Sequence, residues 1–166
     1  MGTNPRSTSL NRLHRELGAR MVDFHGWEMP IQYEGILAEH KQVRESCGVF
    51  DVSHMGEFLF QGEGAARSLQ RLVTNNVNRL EDGQCLYSPM CYESGTVVDD
   101  LLVYKYERNR FMVVVNASNI EKDFAWMKAN LTDDATITDL SDEVALIALR
   151  SEEHTSELQS QFRISY

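Results

Sequence analysis

Two adjacent aspartates, Asp99 and Asp100, sit inside the apolar run of residues 97–106, Val-Val-Asp-Asp-Leu-Leu-Val-Tyr-Lys-Tyr. Valine, leucine and tyrosine at this density predict a strand with at least one buried face. Successive strand residues point to opposite faces, so one aspartate is expected to meet water and the other the interior or a cleft. A carboxylate taken out of water is costly unless something pairs with it. In a cleft it can orient a nitrogen nucleophile, stabilise a developing positive charge or assist a proton transfer. A plainer reading stands beside this one. Aspartate is common at turns, Ser94 and Gly95 mark a turn just upstream, and a strand beginning at Leu101 would leave both carboxylates solvated at its lip.

The elements around the pair read as follows. Leu13 and Leu17 predict a short amphipathic helix ending at Gly18, a glycine C-cap. Residues 21–30 are apolar and aromatic, broken by Gly26 and Pro30. Ile36, Leu37, His40 and Val43 suit a helix with one buried edge, stopped near Gly48. Residues 50–60 have strand chemistry with an expected turn at Gly56. Ala65, Leu69, Leu72 and Val73 recur at helical spacing over residues 64–74. Residues 84–92 and 97–106 form a predicted hairpin across Glu93-Ser94-Gly95, and residues 111–116 a third strand. Ser118 and Glu121 have capping-box spacing before a helix burying Ile120, Phe124 and Met127. Two more strands are expected at residues 136–140 and 144–149. Meander-like strands with intervening helices, and no regular βαβ alternation, indicate an α+β fold with antiparallel strands packed against helices.

Composition bounds the function. The chain has 166 residues, 42% hydrophobic and 25% charged, which suits one globular domain with a real core. A net charge of -9 without a basic cluster argues against nucleic-acid binding. No apolar stretch reaches membrane-spanning length, and residues 1–10 lack the apolar core of a secretory signal. Cys47, Cys85 and Cys91 are odd in number and lack CxxC spacing, so no metal site is expected. Free thiols fit a reducing, cytoplasmic setting.

The patterning stops at Arg150. Residues 150–160, Arg-Ser-Glu-Glu-His-Thr-Ser-Glu-Leu-Gln-Ser, match the translation of a common sequencing-library adapter. Ile164-Ser165-Tyr166 matches the bases beyond an index-sized gap. Residues 150–166 are therefore read as a non-native tail that adds nothing to the core, and residues 1–149 as the N-terminal part of a longer domain.

Several long segments carry a family resemblance. They are Gly-Ala-Arg-Met-Val-Asp-Phe-His-Gly-Trp-Glu-Met-Pro at 18–30, Gly-Val-Phe-Asp-Val-Ser-His-Met-Gly-Glu-Phe at 48–58, Leu86-Tyr87-Ser88, the aspartate run from Gly95, and Val-Asn-Ala-Ser-Asn-Ile-Glu-Lys-Asp at 115–123. Together they resemble the aminomethyltransferase, or T-protein, of the glycine cleavage system. The family motif has two glycines before the valines, and Thr96 replaces the second.

The resemblance implies transfer of the one-carbon unit of an aminomethyl group, carried on the lipoyl arm of the H-protein, to tetrahydrofolate. The products are 5,10-methylenetetrahydrofolate, ammonia and the reduced lipoyl carrier. It implies that Asp100 is catalytic and that Met55, Tyr87, Asp100, Tyr104 and Asn116 contact folate, with Asp99 turned to the opposite face. It implies no metal, nucleic acid or membrane partner. Without it, Tyr87 and Tyr104 read as core aromatics and Met55 as core filler. A folate-binding non-transferase of the same fold, such as a tRNA-modification or iron–sulfur assembly factor, is the alternative; it generally lacks the paired aspartates. A folate domain fused to a sarcosine or dimethylglycine dehydrogenase would need a flavin domain upstream. Family members are much longer, so this chain alone is also read as a truncated and inactive fragment.

Overall fold

A computed structural model describes residues 4–152. The elements run β1 (Arg6–Ser7), α1 (Asn11–Glu16), β2 (Arg20–Phe24), β3 (Trp27–Gln32), α2 (Ile36–Glu45) and β4 (Cys47–Asp51). Then come β5 (Gly56–Gln61), α3 (Ala65–Leu72), β6 (Cys85–Cys91), β7 (Val97–Glu107) and β8 (Arg110–Val115). The last are α4 (Ile120–Ala129), β9 (Thr136–Asp139) and β10 (Ile147–Ser151). The described residues divide into two compact units, one formed by residues up to His54 and from Ala145, the other by Met55–Val144.

The first unit holds a three-stranded sheet of order β1-β3-β2 and the antiparallel pair β10-β4. His25 and Gly26 both have positive φ, which suits a two-residue hairpin turn between β2 and β3. Asp23 Oδ1 accepts from the Gly26 N–H at 2.8 Å and closes that turn. In α1 the buried side chain is His14, while Leu13 and Leu17 are exposed. Polar partners, not an apolar stripe, fix this helix.

The second unit is an antiparallel sheet of order β6-β7-β8-β5-β9. Phe58, Phe60, Val103, Phe111 and Val113 project from its strands into one cluster with Leu69 of α3 and Met127 of α4. This is the α+β arrangement that the patterning indicates.

Four local expectations change. The turn placed at Gly56 lies instead at residues 52–55, and Gly56 opens β5. A Cβ there would come within 2.7 Å of both Ile120 and Val115, so its glycine serves close packing. The capping box at Ser118 does not form. Residues Ala117–Asn119 tighten into a 3₁₀ turn and α4 starts at Ile120, with no side-chain cap. Helix α2 forms without a buried edge, Leu37 being 85% exposed, and only Glu39 and Val43 of its residues are even partly buried. Strand β10 starts at Ile147 rather than Val144 and pairs with β4 through Arg150 and Ser151. Backbone pairing needs no particular side chain, so the ladder crosses residue 150. Residues 153–166, the rest of the adapter-like tail, lie outside the described residues.

Candidate functional site

Strand register gathers the candidate residues on one face of the second unit's sheet. Tyr87 pairs with Leu102, Leu102 with Val114, and Val114 with Glu57, forming one row across four strands. Cys85, Tyr104, Met112 and Leu59 form the next row. On the other side of the Tyr87 row, Pro89 pairs with Asp100, and Asn116 and Met55 directly continue β8 and precede β5 at the same level. Alternation therefore places Met55, Tyr87, Asp100, Tyr104 and Asn116 on the face away from the α3–α4 core. Asp99 lies on the core side. A register irregularity between Met90 and Cys91, opposite Val97 and Asp99, lets Val98 and Asp99 both be buried.

Asp100 is exposed and bound on both oxygens. The Tyr87 hydroxyl donates to Oδ2 at 2.9 Å, and Asn116 Nδ2 approaches Oδ1 at 3.3 Å. Asn116 Nδ2 also reaches the Asp100 carbonyl at 3.1 Å and Asp99 Oδ1 at 2.9 Å. Tyr87 remains 54% exposed, so its ring offers a flat face to solvent beside the carboxylate. Its hydroxyl is held above the ordinary phenol range, first by the bond to Asp100 and then by that group's charge. A phenol that stays protonated remains a donor.

Asp99 is buried, which works against its charge. Hydrogen bonds from Asp123, Asn116, the Asp100 backbone and Asn119 outweigh burial and keep its pKa below the usual carboxylate range. Tyr104 is buried, and burial followed by the neighbouring Cys85 drives its pKa strongly upward. Met55 is half-buried. Tyr104 thus belongs to the wall of this face, while Tyr87 and Asp100 stand at its open edge.

Glu57 was not among the residues singled out from sequence. It is buried on the same face, and neither carboxylate oxygen has a hydrogen-bond partner among the described residues. Burial, followed by the charge of Asp139, pushes its pKa up to about 8. The sequence signal was a lone acid inside Gly-Glu-Phe-Leu-Phe. Among the described residues no cluster of three or more His, Cys, Asp or Glu could hold a metal ion. The arrangement offers a carboxylate with a hydroxyl and an amide aimed at it, next to an exposed aromatic plane. It can orient a flat, nitrogen-bearing ligand and stabilise positive charge on it.

A family model described as the GCVT N-terminal domain matches residues 10–161. The aminomethyltransferase of Halothermothrix orenii is 54% identical over 145 residues, covering 87% of this chain and 41% of the relative. That of Chloroherpeton thalassium is 55% identical over 144 residues, covering 86% and 40%. A solved structure, the glycine cleavage system aminomethyltransferase T from Bartonella henselae, superposes with a TM-score of 0.82 at 33% identity. The superposition covers 89% of this chain and 41% of that one. The chain therefore spans about 40% of the length of the curated relatives it matches.

Proposed function

The chain belongs to the GCVT N-terminal domain family, and from that premise we propose that it forms the catalytic-carboxylate part of a tetrahydrofolate-dependent aminomethyltransferase of glycine cleavage. The reaction moves the one-carbon unit of the aminomethyl group on lipoylated H-protein to tetrahydrofolate, giving 5,10-methylenetetrahydrofolate, ammonia and dihydrolipoyl carrier. The observation that carries this reading is the Tyr87–Asp100–Asn116 cluster on the open face of the β6–β7–β8 ladder. Relatives named aminomethyltransferase at 54–55% identity favour it over a folate-binding non-transferase.

In this reading Asp100 lies next to the reacting nitrogens. Its charge orients the nucleophile and stabilises the cation developing at the transferred carbon. Tyr87 offers its exposed ring to the pterin and holds the carboxylate through its hydroxyl. Asn116 fixes the other oxygen. Tyr104 and Met55 shape the apolar wall, and folate binding asks no metal of this chain. The free thiols of Cys47, Cys85 and Cys91 suit a cytoplasmic protein. Because the matched region is about 40% of each relative, turnover is assigned to the full-length form, and residues 1–166 alone are expected to be inactive.

Asp100→Asn in the full-length enzyme tests the assignment. The amide is nearly isosteric but carries no charge. Methylenetetrahydrofolate formation should fall by a hundredfold or more, about 3 kcal/mol of transition-state stabilisation. Folding and folate affinity should change little. Near-normal turnover would remove Asp100 from the chemistry and return the pair to a solvated strand lip.

A further inference from the structure

Behind Asp100 lies a second carboxylate pair that the proposed reaction does not use. Asp123, on α4, is fully buried, and Asp99, on β7, is nearly so. Their carboxyl groups face each other closely enough for each to act on the other's protonation. Among the described residues no well-directed N–H or O–H donor reaches either Asp123 oxygen. Its one cation is Lys122, with Nζ at 3.4 Å from Oδ1, and that ammonium donates to the Val98 carbonyl.

Two carboxylates in contact away from water cannot both ionise, so the contact is favourable only with one proton between them. The surroundings decide which residue carries it. Asp99 accepts from Asn116 Nδ2 at 2.9 Å and from the Asn116 N–H at 3.3 Å, with further bonds from the Asp100 backbone and Asn119. Those donors favour the ionised form of Asp99. Asp123 has no comparable set, and burial, followed by the bond to Asp99 and its charge, pushes it up to about 7. The proton therefore belongs to Asp123, which donates to Asp99. The charged or titratable groups facing the pair are Lys122 from α4 and Asp100 from β7; Asn116 and Asn119, between β8 and α4, are neutral.

The same Asn116 amide that Asp99 holds also touches the Asp100 carbonyl at 3.1 Å and Oδ1 at 3.3 Å. We propose that Asp123 is a positioning residue for Asp100: as a neutral acid it donates to Asp99, which fixes the Asn116 amide, which fixes the Asp100 carboxylate. The proposal rests on the reading that Asp100 is catalytic. It adds a direction. The chain of bonds is complete while Asp123 keeps its proton. As pH rises and that proton leaves, Asp99 and Asp123 repel, Asn116 loses its fixed acceptor, and Asp100 is held less well.

Carboxyl carbon and side-chain amide NMR on the 166-residue chain tests the device directly. A single titration near pH 7 is expected at Asp123, with the Asn116 Nδ2–H resonances moving in step. Asp123→Asn, whose amide donates at every pH, should hold those resonances at their low-pH positions. Asp123 titrating in the ordinary carboxylate range, or Asn116 resonances that ignore the titration, would overturn the proposal.

In the full-length enzyme, Asp123→Asn should keep turnover within roughly threefold and abolish its pH dependence around neutrality. Asp123→Ala should lower kcat by roughly tenfold or more with little change in KM. An Asp123→Asn variant as impaired as Asp123→Ala would also overturn the donor role. The two readings fail separately. An active Asp100→Asn enzyme removes the catalytic assignment and leaves the NMR result standing, whereas a flat Asn116 response removes this proposal and leaves Asp100 untouched.

Discussion

Each unit contains a carboxylate bonded to a tyrosine network, and the two are built in opposite senses. In the first unit Asp51 Oδ2 accepts from Thr8 Oγ1 at 2.6 Å and from His14 Nε2 at 2.9 Å, while Oδ1 takes the Ser53 N–H at 3.0 Å. Nε2 must carry the hydrogen, since the ionised carboxylate cannot donate. Nδ1 pairs with the Tyr33 hydroxyl at 2.6 Å. The Asp51 side chain is 1% exposed. Burial raises its pKa, but the bonds from His14, Ser53 and Thr8 outweigh that and lower it. In the second unit Asp100 has a tyrosine and an amide on its oxygens and is still open to solvent. Asp51 is closed around its lone pairs and ties together segments distant in sequence. Asp100 is held in place but leaves a side free for a ligand. A carboxylate's partners do not by themselves separate structural from functional; the side left open does.

The largest effect should come from breaking the closed cluster. Asp51→Ala removes the acceptor of three donors and leaves His14, Thr8 and a backbone N–H buried without it. The expected loss is about 3 kcal/mol of stability, read by chemical denaturation. Asp100→Asn in the same chain should stay within about 0.5 kcal/mol of the parent, as exposed substitutions do. Equal losses at the two sites would erase the contrast between them.

How far the sequence shows this contrast depends on where each partner lies along the chain. The alternation of residues 97–106 predicts the opposed faces of Asp99 and Asp100 without any distant information. The hairpin at Ser94 and Gly95 is equally local, with Gly95 at φ +83° and its N–H bonded to the Tyr92 carbonyl. His14 is different. Its partners are 19 and 37 residues away, so its burial in place of Leu13 and Leu17 is invisible to helical periodicity. Gly56 is read as a turn because the atoms that exclude a Cβ belong to Val115 and Ile120. Ser118 has capping-box spacing, but the Asn119 N–H bonds the Asn116 carbonyl at 2.9 Å and moves the helix start past it. Tyr87, Tyr104, Met55 and Asn116 share a face through register across four strands. Family resemblance singles them out where residue pattern alone reads core aromatics and filler.

Buried carboxyls carry the next effect, through pH. Glu57 has a folded pKa of about 8 and Asp123 of about 7, both above their ordinary values. The folded state then binds protons more tightly than the unfolded chain. The stability that these two groups contribute is fully present below the ordinary carboxylate range and is lost as pH rises toward those values. Asp51 and Asp99, with lowered pKa values, act in the opposite sense, and their contribution is lost as pH falls into the acid range. Glu57→Gln should flatten the upper part of the alkaline loss, between about 7 and 8, where Glu57 still titrates after Asp123. Denaturation midpoints across neutral pH would show this. A fall in that interval unchanged by Glu57→Gln would mean that Glu57 is already ionised there.

The smallest effect belongs to Tyr87→Phe. The hydroxyl sits at an exposed edge, so its removal should shift stability by no more than about 0.5 kcal/mol. Its contribution is to hold Asp100 Oδ2 in place, and Asn116 still holds Oδ1. On the proposed function, turnover of the full-length form should therefore fall only several-fold, by roughly 1 kcal/mol, the net worth of one hydrogen bond. The ring plane is retained, so the proposed folate affinity should fall less than turnover. Tyr87→Ala removes that plane and should weaken folate binding further. A Tyr87→Phe chain destabilised by as much as Asp51→Ala would place Tyr87 among the structural tyrosines, with Tyr33, and would make the second cluster a closed one as well.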